Sequence, residues 1–427
     1  MIRSFKSITT ATMLLVTTLV FTGCEGEFDD LFGEWSRPTG NVNSGNEKPS
    51  GNIAVTSITL NETTLEKKLG DVAVTLTATV KPDDATDKTV TWTSEDPAVA
   101  SVSNGLVSIL GEGTTIITAA ANDGSGVKAT CTVTVKIPGL LAGKFSVSAT
   151  KQVRFSQGTL QAKIAGYITT DPGHYTYTAS SWEFAEHQWD YIGNAAGNNS
   201  FAVGSKVDLF GWVGASASYN SYGLCNNASS VLGSDFANCY GNNDSESLKY
   251  DWGTVAITNG GNTPFIFGWR TLSATEWGYL FKTRTASTVG GTDDGRYAKA
   301  KVNGVAGVIL FPDSYTHPDG VTAPASVNTT NAAYTANTSD ATAWGKMEAA
   351  GCVFLPAAGK RDGTNVNTVG NNGHYWSSTP TSNQKTLAGH LLFYSNGMSF
   401  PDNNNLTSNQ AEFRLNGRSV RLVYDVK

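Results

Sequence analysis

The sequence predicts a mostly β protein with two folded units, a β-sandwich followed by a larger α+β domain. Three observations lead there. From Ala54 to Lys136 apolar side chains alternate with Thr at period two, the mark of strands with one buried face. The 45 glycines, with many Thr, Ser and Asn and few long helical runs, favour strands joined by turns. Eight of the 10 tryptophans lie in residues 138–427, which marks that stretch as one aromatic-rich domain.

The 427 residues, 40% of them hydrophobic, are enough for two or three domains. Only 15% are charged and the net charge is -6. Without a Lys/Arg cluster there is no surface to neutralise phosphates, so nucleic acid is excluded as a partner.

At the N-terminus, Arg3 and Lys6 precede an apolar, Thr-rich run from Ile8 to Phe21 that ends at Thr22-Gly23-Cys24. The run is shorter than the roughly 20 residues that cross a bilayer, so residues 1–23 read as a signal peptide. The small residues before Cys24 resemble a bacterial lipoprotein processing site, although Phe21 stands where Leu is usual. The resemblance implies acylation of the Cys24 thiol, cleavage just ahead of it and attachment to the outer membrane. Each buried methylene contributes about 0.8 kcal/mol, so several chains anchor durably. Glu25, Glu27, Asp29 and Asp30 resemble the surface-export signal of Bacteroides-type lipoproteins. Residues 24–51, rich in Gly, Asn, Pro and Ser, read as a flexible tether.

Residues 52–137 form the sandwich unit. Val74, Leu76, Ala78 and Val80 alternate with Thr75, Thr77 and Thr79, and Cys131, Val133 and Val135 alternate with Thr130, Thr132 and Thr134. Turn signals at Pro82-Asp83-Asp84, Asp96-Pro97, Asn104-Gly105 and Asn122-Asp123-Gly124 separate about seven strands. Trp92, between Thr91 and Thr93, is expected to face the core. The runs Val90-Thr91-Trp92-Thr93-Ser94, Val99 to Val107 and Gly111 to Ala119 resemble group 2 bacterial immunoglobulin-like domains. That resemblance implies a spacer or adhesion module.

Residues 138–427 open with Gly143 to Ser148 and Val153 to Ser156, which read as paired strands. Trp182 to Asp190 suits either a strand and turn or a single helix. Ser273 with Glu276 three residues on gives a helix start, and Trp277, Leu280 and Phe281 share one face. The last fifty residues begin with Gly373-His374-Tyr375-Trp376-Ser377-Ser378 and close with Ser419-Val420-Arg421-Leu422-Val423. Fixed apolar ends around a polar, Asn-dotted middle suit a binding face held by rigid strands. The helix block and these strands resemble C-type-lectin-like folds of the formylglycine-generating type and a family of bacterial surface paralogues. They also resemble the variable proteins of diversity-generating retroelements, which mutagenise adenines. Asn383, Asn396, Asn403, Asn404, Asn405, Asn409 and Asn416 fit adenine-rich codons, and Asn is equally a common turn residue.

The residues expected to line a ligand-binding face are Tyr375, Trp376, Asn383, Lys385, His390, Tyr394, Asn396, Asn403, Asn405, Phe413 and Arg414. The aromatic rings give rigid contact area, the amides adaptable hydrogen bonds. Cys225 and Cys239 are the candidate disulfide pair, while Cys131 and Cys352 read as buried. No catalytic residue, metal or cofactor is expected. A formylglycine-type oxidase would need more than Cys352, and no two of the five histidines stand at metal-ligand spacing. Glu186, His187 and Asp190 read as a hydrogen-bond knot. Asp293-Asp294 and Asp402 to Asn405 lack a spacing that fixes calcium. The expected function is a surface lipoprotein displaying a non-catalytic head for an external glycan or protein. The alternatives are a structural or adhesive subunit of a surface assembly, or a degenerate oxidase.

Overall fold

The computed structural model describes residues 51–171, 174–212, 268–381, 387–401, 410–414 and 416–426, with backbone alone for 167–171 and 174–178. The expectations for the signal peptide, Cys24 and the tether up to residue 50 fall outside these residues. So do those for Cys225, Cys239, Asn383, Lys385, Asp402, Asn403, Asn404, Asn405 and Asn409.

Nine strands run from residue 57 to 136 among the described residues: β1 (Ser57–Leu60), β2 (Thr64–Lys68), β3 (Val74–Thr75), β4 (Ala78–Lys81), β5 (Val90–Ser94), β6 (Ala100–Ser103), β7 (Leu106–Ile109), β8 (Gly113–Ala121) and β9 (Lys128–Lys136). One sheet is ordered β2-β9-β8-β5, a second β3-β7-β6, and β1 pairs with β4. Alternation decides the packing: Cys131, Val133 and Val135 are buried with Leu76, Val99, Val107 and Ile117. Trp92 is half-buried against this cluster, with Thr91 and Thr93 exposed, as its flanks predict. Asn104 and Gly105 both take positive φ, 50° and 82°, in the two-residue hairpin between β6 and β7.

The strand expected over 74–80 is two. Val74-Thr75 pairs with β7, whereas Ala78–Lys81 pairs with β1. Between them the Leu76 N–H donates to Gly105 O and the Thr77 N–H to Asn61 Oδ1, so the chain changes sheets in mid-run. Alternation continues through such a crossing, because each half has a buried face: Val74 and Leu76 pack on the Cys131, Val133 and Val135 cluster, and Ala78 and Val80 on a neighbouring one with Val55 and Ile58.

The remaining elements are β10 (Phe145–Ser146), β11 (Gln152–Phe155), β12 (Leu160–Asp171), β13 (His174–Phe184), α1 (Ala196–Ser200), β14 (Lys206–Val207), β15 (Trp269–Thr271), α2 (Ala274–Lys282), β16 (Tyr297–Val302), β17 (Val305–Leu310), β18 (Thr338–Ser339), α3 (Ala341–Ala349), β19 (Val353–Pro356), β20 (Lys360–Asp362), β21 (Asn365–Asn367), β22 (Gly373–Pro380), β23 (Leu387–Tyr394), β24 (Gly397–Ser399), β25 (Ala411–Phe413) and β26 (Leu422–Asp425). β10 pairs with β11 as expected, and β26 lies between β11 and β15. Ser273 and Glu276 form a reciprocal capping box at α2, and Trp277, Leu280 and Phe281 are buried. After β13 the chain turns: His187 Nδ1 lies 2.9 Å from Asp190 Oδ2 and its ring stacks on Trp189, which is the strand-and-turn reading. Cys131 and Cys352 are buried free thiols.

β22, β23 and β24 form a sheet, with β25 also paired to β23. One face, with Tyr375, Leu391 and Phe393, packs on Trp277, Leu280 and Phe281 of α2. The other, with Trp376, packs on Phe210, Trp212 and Val420. This doubly covered sheet positions the candidate site.

Candidate functional site

Four residues expected on the binding face are interior, and the expectation is corrected for each. Tyr375 and Trp376 are fully buried, and His390 and Arg414 are 2% exposed. The Tyr375 hydroxyl donates to Pro356 O and Trp376 Nε1 to Phe210 O. Gly373 is needed beside them, since a Cβ there would lie 2.0 Å from the Phe393 ring. Both faces of β22 are covered, so its residues serve packing.

Among the other described members, Tyr394 is half-buried, Asn396 is exposed and Phe413 is 51% exposed. They do not make one patch. Phe413 pairs with Leu387 and Tyr394 ends the same strand; seven steps at about 3.3 Å put the two ends roughly 23 Å apart. At the Tyr394 end, Lys299 Nζ donates to Tyr394 O at 2.6 Å, and burial pulls this ammonium down to about 8. It tethers the turn carrying Asn396.

The Phe413 end is more elaborate. Arg414 Nε donates to Leu387 O at 2.9 Å, and its guanidinium lies 4.4 Å over the Trp212 ring. The Trp212 N–H donates to Arg414 O and its indole N–H to Ser377 O. The Thr381 hydroxyl also donates to Leu387 O. Trp212, Thr381, Leu387 and Arg414 are therefore gathered at one corner, beside the exposed Phe413 ring.

Next to this corner four charges interlock. Arg418, wholly buried, lies 2.6 Å from Glu412 and 3.6 Å from Asp362; Lys360 lies 3.0 Å from Asp362 and 4.0 Å from Glu412. Burial pulls Arg418 below its usual value, with Glu412 and Asp362 opposing. Burial pushes Glu412 up, but the Arg418 charge and the Phe413 N–H outweigh it and hold the carboxyl below its usual range. Beneath lie His374 and His390, 4% and 2% exposed, stacked with ring centroids 5.4 Å apart. None of their four ring nitrogens has a hydrogen-bond partner among the described residues. Burial, then the Arg418 charge, lowers both, His390 to about 3.

Sequence reasoning missed this lattice. Its faint signal was Lys360-Arg361-Asp362 between Gly359 and Gly363, which reads as any charged turn. Elsewhere, Asp293 Oδ1 accepts from the Thr288 hydroxyl and Asp294 Oδ1 from the Ala286 N–H, so both carboxylates bind their own loop. Among the described residues no group of three or more His, Cys, Asp or Glu is placed to hold a metal ion, and no helix is long and apolar enough to cross a membrane.

Residues 54–133 match the family of bacterial Ig-like domains, group 2, so the sandwich described above is a domain of that class. The match covers this unit and not the chain as a whole. An uncharacterized protein of Clostridium acetobutylicum is 44% identical over 84 residues, 19% of this chain and 9% of the relative. An Ig-like virion protein of Serratia phage KSP90 is 45% identical over 85 residues, 19% of this chain and 32% of the relative. The chain thus spans less than a third of the length of either. A crystal structure of domains 4 and 5 of the S-layer protein SbsC is 24% identical, covers 19% of this chain and 52% of its own, and gives a TM-score of 0.17.

Proposed function

We propose that this chain is a lipid-anchored protein of the outer membrane whose Ig-like domain spaces a C-type-lectin-like, non-catalytic head away from the cell. The head binds an external glycan or protein through the edge around Phe413. The observation that carries this reading is the corner at Arg414. Four chain positions, Trp212, Thr381, Leu387 and Arg414, are bonded together there, with a large ring left half in solvent. A fixed frame under an exposed aromatic side chain suits recognition, because the ring supplies contact area at small entropic cost. Exposure outside the cell agrees with the virion protein among the Ig-like relatives.

The test is an array of glycans and surface proteins probed with the full chain. A hit should weaken about 30-fold or more in Phe413→Ala, the loss of an aromatic anchor, while the unfolding midpoint stays put. Unchanged binding in that variant would remove the Phe413 edge from the reading.

A second reading, a subunit of a surface assembly, is favoured by the same virion relative, since a virion is itself an assembly. A neighbouring surface protein that co-purifies with the native chain, without added host material, and is lost with Phe413→Ala would support it over foreign-ligand binding.

A further inference from the structure

The Ig-like domain and the head have no slack between them. The last rung of the Ig-like ladder pairs Lys68 with Lys136, and the next residue, Ile137, is 4% exposed in the head's own core with Trp182, Phe210 and Trp269. Pro138 follows, its φ fixed by the ring. Gly139 has a φ of 69°, and a Cβ there would come within 2.6 Å of the Phe184 ring. Residues 139–141 are then laid along the end of β11: the Gln157 N–H donates to Gly139 O at 2.6 Å and the Leu141 N–H to Phe155 O at 2.9 Å. A spacer that swings needs residues belonging to neither body, and this connector has none.

Only two torsions, ψ of Lys136 and φ of Ile137, could then turn one body against the other without distorting either. The first is held by the Leu69 N–H, which donates to Lys136 O at 2.8 Å, since turning ψ turns that carbonyl. The second would swing the sandwich past two side contacts. Leu69, one residue beyond β2, packs on both the sandwich cluster and the head cluster. Glu112, from the link between β7 and β8, meets Arg154 of β11 at 2.5 Å, and Arg154 Nε donates to Leu141 O at 2.7 Å. Leu69, Glu112 and Ile137 stand around a cleft of about 550 Å³, so they are separate points of attachment. Domains that share a small interface move by default, and a part-exposed ion pair alone holds little. Here the missing linker changes that balance.

We infer that the Ig-like domain is locked to the head, so that β1–β9 and β10–β26 turn in solution as one rigid body and the sandwich serves as a fixed strut. For its use the inference rests on the proposed spacer role. Its test needs no ligand, so its failure would leave the Phe413 edge as it stands.

Residual dipolar couplings and amide relaxation of the full chain read the lock. The order parameter S² between the amides of β1–β9 and those of β10–β26 should be about 0.85, as in a rigid backbone, and a value below about 0.6 would overturn it. Inserting Gly-Ser-Gly after Lys136 supplies the absent slack and should bring S² below about 0.6; a value unchanged by the insertion refutes the part given to the connector. Glu112→Arg sets two guanidinium groups against each other and should lower S², and Glu112→Arg/Arg154→Glu should restore it. A swap that stays as loose as the single change refutes the part given to the ion pair. Should a variant not fold, the wild-type value decides.

Discussion

Gly373 and Phe413 mark the two extremes of tolerance in the C-terminal sheet. Any side chain on Gly373 meets the Phe393 ring, so Gly373→Ala should cost at least the 1–3 kcal/mol typical of overpacking. Trp376→Ala should cost about 3–5 kcal/mol, since a fully buried indole and its bond to Phe210 O are lost. Phe413→Ala should stay within about 0.5 kcal/mol, as surface changes do. Urea unfolding of the three variants gives that ranking, and a large loss for Phe413→Ala would mean its ring is core. Asp208 adds a pH signature of the opposite sign to the imidazoles. Burial pushes it up to about 6, against the pull of Asn198 and the Ile192 N–H. Its share of stability is therefore complete below 3.8 and lost as pH rises through about 6. Carbon NMR should place its midpoint near 6, and ordinary titration near 3.8 would contradict the burial. Tyr375, Trp376, His390 and Arg414 were misread from sequence for a physical reason. For the first three, a strand buried on both faces shows no alternation, and polar residues within it look like surface; Arg414 follows β25 and is buried by Trp212 and Leu387, distant in sequence.

At the level of elements, α2 was legible and the β3–β4 break was not. Ser273, Glu276 and the Trp277, Leu280, Phe281 face are local signals, and each is realised. Ser273→Ala should destabilise by about 1 kcal/mol, measurable as a lower unfolding midpoint with unchanged slope; no change would mean that Glu276 alone holds the helix start. The crossing at Leu76 and Thr77 depends on Gly105 and Asn61, 29 and 16 residues from the groups they bond, so no local pattern reports it. The same holds for the lattice of Lys360, Asp362, Glu412 and Arg418. Its members come from three separate segments, and only the pairing of β25 with β23 and the bridges of residues 417–419 bring them together.

For the molecule as a whole, the proposed anchor predicts that Cys24→Ser abolishes incorporation of labelled fatty acid and frees the protein from membranes. Retention of label would place the acylation elsewhere. Within the compact unit of Asn52–Lys427, Arg154 Nη1 pairs with Glu112 of the Ig-like domain at 2.5 Å and Arg154 Nε donates to Leu141 O. The pair is part-exposed, so Glu112→Gln should cost no more than about 1 kcal/mol. The position of β26 matters more. Leu422–Asp425 is the middle rung between β11 and β15, so the edges those two strands turn toward each other stay unpaired until those four residues arrive. A chain in which Leu422–Asp425 has not yet docked keeps this seam open, and the aromatic interior beside it cannot close.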